Sequence, residues 1–270
     1  MALNRRDFLR GMLGAGCSAL LGLPAVSSVS AMGDASRFRA ALLQHPGDWD
    51  VRSSALPTLL ALLQSRTSVE VSFDPVDVHP RQDTLFNYPF LWMCGSQGFD
   101  KLPARGIENL RRHLRFGGTL FVDGASSADG SPFLSDVRRE LGRIFPARNL
   151  KPLPDGHAVY RSYYHLSGPA GRVSGAKDLT AISIDDRAAA IVSRNDLSGA
   201  LARNEAGGWL LPLESPRRDE RELSLRLAVN LAVYALTVNY KLDQVHISYQ
   251  LRNPGRYPDA GPSSVDPDQR

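Results

Sequence analysis

Short apolar runs alternate with segments of helical periodicity along the first half of the chain. The runs cover residues 38–43, 69–73, 88–93 and 119–122, and a Pro or Gly follows shortly after each of them. The run 38–43 is mostly apolar and is broken by turn residues, which is typical of a strand buried on both faces, whereas 69–73 is a β-branched run. The pattern therefore predicts four strands.

Between these runs, apolar residues recur every three or four positions. Ser54 precedes a stripe of leucines, so we expect its hydroxyl to cap a helix there. Pro103 opens a second stripe that ends at Gly117, and Ser131 is expected to cap a third. Strands that alternate with helices predict a mostly parallel sheet covered on both faces, a three-layer α/β sandwich.

The second half of the chain has a different pattern. Residues 181–184 and 188–192 are apolar and flank Asp185 and Asp186, which predicts a β-hairpin. Leucines at helical spacing before Tyr234 predict a last helix. We expect one domain over residues 36–252, followed by a disordered tail over 253–270, which is rich in Pro, Ser, Asp and Gly.

The N-terminal segment has the features of an export signal. Arg5 and Arg6 precede an uncharged stretch, and small residues up to Ala31 offer a cleavage site. This pattern predicts a twin-arginine signal peptide over residues 1–31 and a protein that is periplasmic or otherwise exported by the twin-arginine pathway. A membrane anchor is the alternative, but the stretch is shorter than the roughly 20 apolar residues a span needs. Cys17 leaves a lipoprotein as a further alternative.

Composition narrows the classes of partner. Half of the net charge of +4 lies in the signal segment, and the remaining arginine clusters are interspersed with acids, so we expect no nucleic-acid partner. No stable membrane span is expected in the mature chain. Cys94 is the only cysteine beyond the signal, so no intrachain disulfide can form there.

The candidate site follows from the fold, because ligands of open α/β sheets bind at the carboxyl ends of the strands. The residues expected to contact a ligand are His45, Cys94, Asp123, His157, Arg194, Asn195 and Asp196. The alternative is that such residues only cap helices and shape turns. Cys94 is either a thiolate activated by a helix N-terminus and a histidine, or a small buried apolar group.

Motifs for bound cofactors are missing from the sequence. It contains no HExxH or CxxC motif, and its six histidines are scattered without metal-ligand spacing, so no metal is expected. It also lacks GxGxxG, a phosphate loop and the GxSxG serine motif, so no cofactor is expected.

Several segments together resemble a known bacterial family, the domain of unknown function numbered 4159. They are residues 88–95, 114–118, the strand that leads into Asp123, and residues 139–146, 153–160, 192–197, 230–237 and 239–241. The resemblance implies a flavodoxin-like fold similar to that of class I glutamine amidotransferases. In those enzymes the nucleophilic cysteine follows the strand that ends here at Asp123, so the resemblance does not carry a glutaminase nucleophile onto this chain.

Two functions are consistent with these features. The first is a noncatalytic module of the cell envelope that binds a small polar ligand or an envelope protein, as the gene neighbourhoods of the family suggest. The second is a hydrolase acting on a polar ligand, a carbohydrate for example, with Asp123, His157 and Asp196 as acid–base groups. A structural scaffold is a third, weaker alternative.

Overall fold

The structure is a computed structural model that describes residues 37–73, 76–125, 131–215 and 217–252, with residues 239–252 in backbone only. The predicted signal peptide and the predicted tail lie outside the described residues. Among the described helices, none combines the length and the apolar character that crossing a bilayer requires.

Seven strands of the described residues form one sheet in the order β2-β1-β3-β4-β7-β6-β5. The strands are β1 Ala40–Leu43, β2 Val76–Val78, β3 Phe90–Gly95, β4 Thr119–Gly124, β5 Lys151–Pro152, β6 Thr180–Ile184 and β7 Arg187–Ser193. The pairs from β2 to β7 are parallel, and β6 pairs antiparallel with both β7 and β5. The predicted α/β fold with a mostly parallel sheet is confirmed.

In the described part of the chain, five α-helices cover the two faces of this sheet. They are α1 Ala55–Arg66, α2 Ala104–Arg115, α3 Pro132–Ile144, α4 Leu197–Leu201 and α5 Glu220–Arg252. Apolar residues of α1, α4 and α5 share one buried cluster with the sheet, and those of α2 and α3 share another. The core therefore consists of two layers, one on each face of the sheet.

The central strands are apolar because both of their faces are covered. Along β3, Trp92 joins the cluster under α1, α4 and α5, whereas Met93 joins the cluster under α2 and α3. The ring of Trp92 lies 4.5 Å from that of Phe121 on β4, measured between centroids. Full burial of one such aromatic side chain contributes about 1.5–3 kcal/mol to stability.

The strand predicted over residues 69–73 is wrong. Only Val71 in that segment pairs, through an isolated parallel bridge to Phe38, and Phe73 is 56% exposed. The strand beside β1 is instead β2, which begins after Pro75. Val71 is the one buried residue of the segment, and Glu70 and Phe73 are exposed, so the segment buries too little apolar surface to form a continuous strand.

The helix caps differ from those predicted, although α1 and α3 start where the sequence indicates. Neither Ser54 nor Ser131 makes a side-chain capping bond. The Ser54 hydroxyl instead accepts a hydrogen bond from the backbone N–H of Arg203 at 2.9 Å. The hydroxyl thus ties the start of α1 to the segment after α4.

Candidate functional site

Six of the seven predicted site residues lie at the carboxyl ends of the parallel strands. Cys94 and Asp123 are paired in register on β3 and β4, and Asp123 is in turn paired with Ser193 at the end of β7. His45 follows β1, and its Nε2 lies 3.0 Å from the backbone oxygen of Cys94. The loop of residues 194–196 continues from β7 at the same edge.

His157 does not join them. Its ring packs against Tyr234 at 5.6 Å, and the Tyr234 hydroxyl accepts a hydrogen bond from Ala188 at the start of β7. His157 shares a cavity of about 570 Å³ with Asp185 and Asp186, the turn between β6 and β7. It therefore lies at the amino edge of the sheet, opposite to Asp123.

Asp123 is fully buried and supports a helix. Its Oδ2 accepts a hydrogen bond of 2.6 Å from the backbone N–H of Ser198 in the first turn of α4. Its Oδ1 has no hydrogen-bond partner among the described residues. Burial, together with the neighbouring Asp196 carboxylate, raises the pKa of Asp123 to about 7.

Asp196 caps the same helix from the chain directly before it. Its backbone is left-handed, with φ at +48°, and its carboxylate accepts a hydrogen bond of 2.9 Å from the N–H of Gly199. The guanidinium of Arg172 donates to the carboxylate, and the Nε of Arg52 lies 3.5 Å from it. Asp196 is thus a buried carboxylate whose charge is compensated by two arginines.

Cys94 has the environment of a small apolar residue. It is fully buried, and burial together with the nearby Asp123 raises the pKa of its thiol well above the ordinary value. A nucleophilic cysteine needs the opposite shift, since the thiolate is the reactive form. The geometry therefore favours the packing role that the sequence left open for Cys94.

His45 is buried between two aromatic rings. Its imidazole centroid lies 4.7 Å from that of Phe99 and 5.4 Å from that of Phe133. Burial lowers the pKa of His45, so the ring is neutral, and its Nε2–H is the atom that can donate to the Cys94 carbonyl. In this position the side chain fastens the end of β1 to the end of β3.

Sequence reasoning missed Asp48, which orders the turn after β3. Its carboxylate accepts hydrogen bonds from the backbone N–H groups of Ser96 and Gln97, at 3.0–3.2 Å, and from the Ser96 hydroxyl. Asp48 follows the sequence Pro-Gly, and nothing in the residues around it indicates that its partners lie almost 50 residues later in the chain. Only the parallel pairing of β1 with β3 brings them together.

Asn195 fixes a loop that forms the wall of a second cavity, of about 420 Å³, at the carboxyl edge. Its side-chain amide accepts from the backbone N–H of Ala176 at 2.8 Å and donates to the carbonyl of the same residue at 3.1 Å. Arg194, which precedes Asn195, is half-buried. Its carbonyl oxygen lies close to Gly175, so that a Cβ added at Gly175 would be 2.2 Å from that oxygen.

Charged and hydroxyl groups line this cavity. Ser174 and Lys177 come from the loop that Asn195 holds, Arg217 comes from the segment before α5, and Glu220 is the first residue of α5. Small-molecule sites are concave and usually carry a few polar groups on a mostly apolar lining, and the lining of this cavity is more polar than that, which suits a polar ligand. In the part of the chain that the structure describes, no three His, Cys, Asp or Glu side chains are grouped to hold a metal ion.

Comparison with known proteins agrees with the resemblance seen in the sequence. No curated protein is similar enough to this chain to count as a relative. The profile of one family, described as a domain of unknown function (DUF4159), matches residues 39–236. This match spans every strand of the sheet and most of the described helices, so the chain belongs to the DUF4159 family.

Proposed function

We propose that the protein is an exported, noncatalytic binding module of the cell envelope, which holds a small polar ligand in the cavity beside Asn195. The observation that carries the proposal is that, at the carboxyl edge, the conspicuous sequence-predicted residues are buried and an open cavity lies beside them. Cys94, Asp123 and Asp196 are fully buried. The neighbouring cavity, in contrast, is open and lined by polar side chains.

The strand order supports a finer description of the fold. Five parallel strands run in the order β2-β1-β3-β4-β7, which corresponds to the 2-1-3-4-5 order of flavodoxin-like sheets. Folds of this kind bind ligands at the carboxyl edge, where Asn195 and its cavity lie. The class I glutamine-amidotransferase-like variant of the fold remains part of the same proposal.

Hydrolysis by the three groups named from the sequence has less support. His157 lies at the opposite edge of the sheet from Asp123 and Asp196, so the three cannot reach one substrate atom. Asp196 is also paired with Arg172 and lies close to Arg52. Both facts favour binding over turnover at this edge.

Export is supported by the sequence of the N-terminal segment. Arg5 and Arg6, the uncharged stretch behind them and the small residues up to Ala31 together form the twin-arginine pattern. An exported binding module would then act in the periplasm, on a small polar ligand or together with an envelope protein.

A titration of the purified protein with a panel of small polar compounds tests the binding role. We expect amide resonances of residues 174–177 and 195 to shift, and each compound to be recovered unchanged after long incubation. A compound that is cleaved by the wild-type protein but not by Asp123→Asn or His157→Gln would overturn the noncatalytic assignment in favour of a hydrolase.

A further inference from the structure

We infer that the ligand of the cavity beside Asn195 is a small organic anion that also carries hydroxyl groups, such as a sugar acid or a sugar phosphate. The inference rests on the proposed binding function and names the chemical class of the ligand. It follows from where the cavity places its positive and negative charges.

Two cations lie on the wall of the cavity. Lys177 is exposed and forms no ion pair with any described residue. Arg217 has about half of its side chain exposed, and its Nη1 donates a hydrogen bond of 3.5 Å to Oε2 of Glu220, which leaves the other N–H groups of its guanidinium for a ligand. Both groups therefore keep donors for an incoming carboxylate or phosphate.

Glu220 supplies the opposite charge in the buried part of the cavity. Only 4% of its side chain is exposed, and its Oε1 accepts a hydrogen bond of 3.2 Å from the backbone N–H of Gly171. A carboxylate in this position repels a second anion and accepts hydrogen bonds from hydroxyl groups. The anionic group of the ligand thus belongs beside Lys177 and Arg217, with its hydroxyl groups directed to Glu220.

The size and rigidity of the cavity fit an organic ligand better than a bare inorganic ion. Its volume of about 420 Å³ lies within the range of small-molecule sites. Both hydrogen bonds between Asn195 and Ala176 hold the loop that carries Lys177, so ligand binding costs little conformational entropy in this loop. Inorganic phosphate carries its charge and its few P–OH donors on one group, so it offers Glu220 fewer hydroxyl donors than a polyhydroxylated anion does.

Four probes separate the contributions: glucose, glucuronate, glucose 6-phosphate and inorganic phosphate. Dissociation constants are measured on the purified protein by calorimetry, and the binding site is located from amide shifts of residues 174–177. We expect glucuronate or glucose 6-phosphate to bind at least about tenfold more tightly than glucose and than inorganic phosphate. Comparison of the two charged sugars shows whether the carboxylate or the phosphate is preferred.

Matched variants assign the charges. Lys177→Gln is expected to weaken the binding of the charged sugar about three- to tenfold and to leave that of glucose unchanged. Lys151→Gln, which removes an exposed lysine from β5 outside the cavity, is the control and is expected to change neither. High salt should weaken only the charged sugar.

The outcomes separate the two proposals. Binding of glucose as tight as that of both charged sugars at residues 174–177, or an unchanged affinity for the charged sugar in folded Lys177→Gln protein, would overturn the anionic ligand and leave the cavity as the binding site. Failure of all four probes to shift these residues would overturn the sugar acid or sugar phosphate, whereas the proposed binding function would be contradicted only if no compound of the polar panel shifted them.

Discussion

Asp123 and Asp196 both accept hydrogen bonds from backbone N–H groups of α4, although they reach it from different strands. The sequence predicts that Asp123 follows a buried strand, because the run before it is apolar throughout. It does not predict the partner, Ser198, which depends on the pairing of β4 with β7. A carboxylate at a strand end can therefore accept hydrogen bonds from a helix that is distant in sequence rather than bind a ligand.

The raised pKa of Asp123 makes the stability of the protein depend on pH. The ordinary pKa of 3.8 applies to the unfolded chain, and the folded value is about 7. Between these values the folded protein keeps a proton that the unfolded chain has lost, so the free energy of unfolding falls as the pH rises from about 4 to 7. Asp123→Asn removes this titration and keeps an oxygen for Ser198.

Thermal unfolding of both proteins over this pH range checks the expectation. We predict that Asp123→Asn is the more stable protein at pH 8, by roughly 1–4 kcal/mol, and that the advantage disappears near pH 4. His113, whose pKa burial lowers to about 4, contributes an opposite slope in both proteins, so it cancels in the difference. Exposed Asp100→Asn serves as the control, and parallel curves for Asp123→Asn and wild type would contradict the raised pKa.

The burial of Cys94 predicts slow thiol chemistry. In a protein carrying Cys17→Ser, we expect a thiol reagent at neutral pH to label native Cys94 at least about a hundredfold more slowly than in the urea-unfolded chain, because labelling requires local opening. Rapid labelling of the native protein would instead reveal an accessible thiolate and reopen a nucleophilic role.

Helices and strands with a strong apolar pattern were predictable, and short ones were not. The stripes of α1, α2 and α3 and the apolar runs of β1, β3 and β4 match the structure, as does the hairpin around Asp185 and Asp186, whose positive φ values aspartate tolerates. β5 has two residues and α4 has five, which are too few to show a hydrophobic period in the sequence. Their positions depend on long-range pairing.

Replacement of Gly171 tests how closely the loop beside Asn195 packs, and replacement of Gly142 is the comparison. A Cβ at Gly171 would lie 1.9 Å from the carbonyl oxygen of Asn195, which already accepts from Val173. We expect Gly171→Ala to reduce the free energy of unfolding by roughly 2–4 kcal/mol. In α3, a Cβ at Gly142 meets nothing within 4 Å, so Gly142→Ala should add about 0.5–1 kcal/mol.

Urea unfolding of the two alanine variants measures these effects with the same chemical change at both positions. A Gly171→Ala protein as stable as the wild type would show that the loop moves freely against β7. That result would also remove the rigid wall on which the ligand proposal depends.

The complete fold decides which of the predicted site residues meet. Parallel strands bring their carboxyl ends to one edge, which is why His45, Cys94 and Asp123 were predictable as neighbours. After β5 the chain turns back along the sheet beneath α5, and this turn carries His157 to the opposite edge, beside Asp185. No local pattern in the sequence encodes that reversal.

Export concerns the whole protein and gives a further prediction. Replacement of both Arg5 and Arg6 by lysine should abolish export by the twin-arginine route, because the pair is recognised as an address and lysines retain only its charge. Fractionation of cells measures the periplasmic share, with Arg10→Lys as the control. Efficient export of the double variant by that route would contradict the signal assignment.

The two outermost strands have a consequence for how the protein behaves in a crowded compartment. β2 has three residues and β5 only two, Lys151 and Pro152. Long unpaired edges recruit strands from other molecules and seed aggregates, and natural sheets suppress this with short edges, lysine and proline. The sheet of this protein ends on both sides in pieces too short to template an added strand, which favours a chain that stays monodisperse at high concentration.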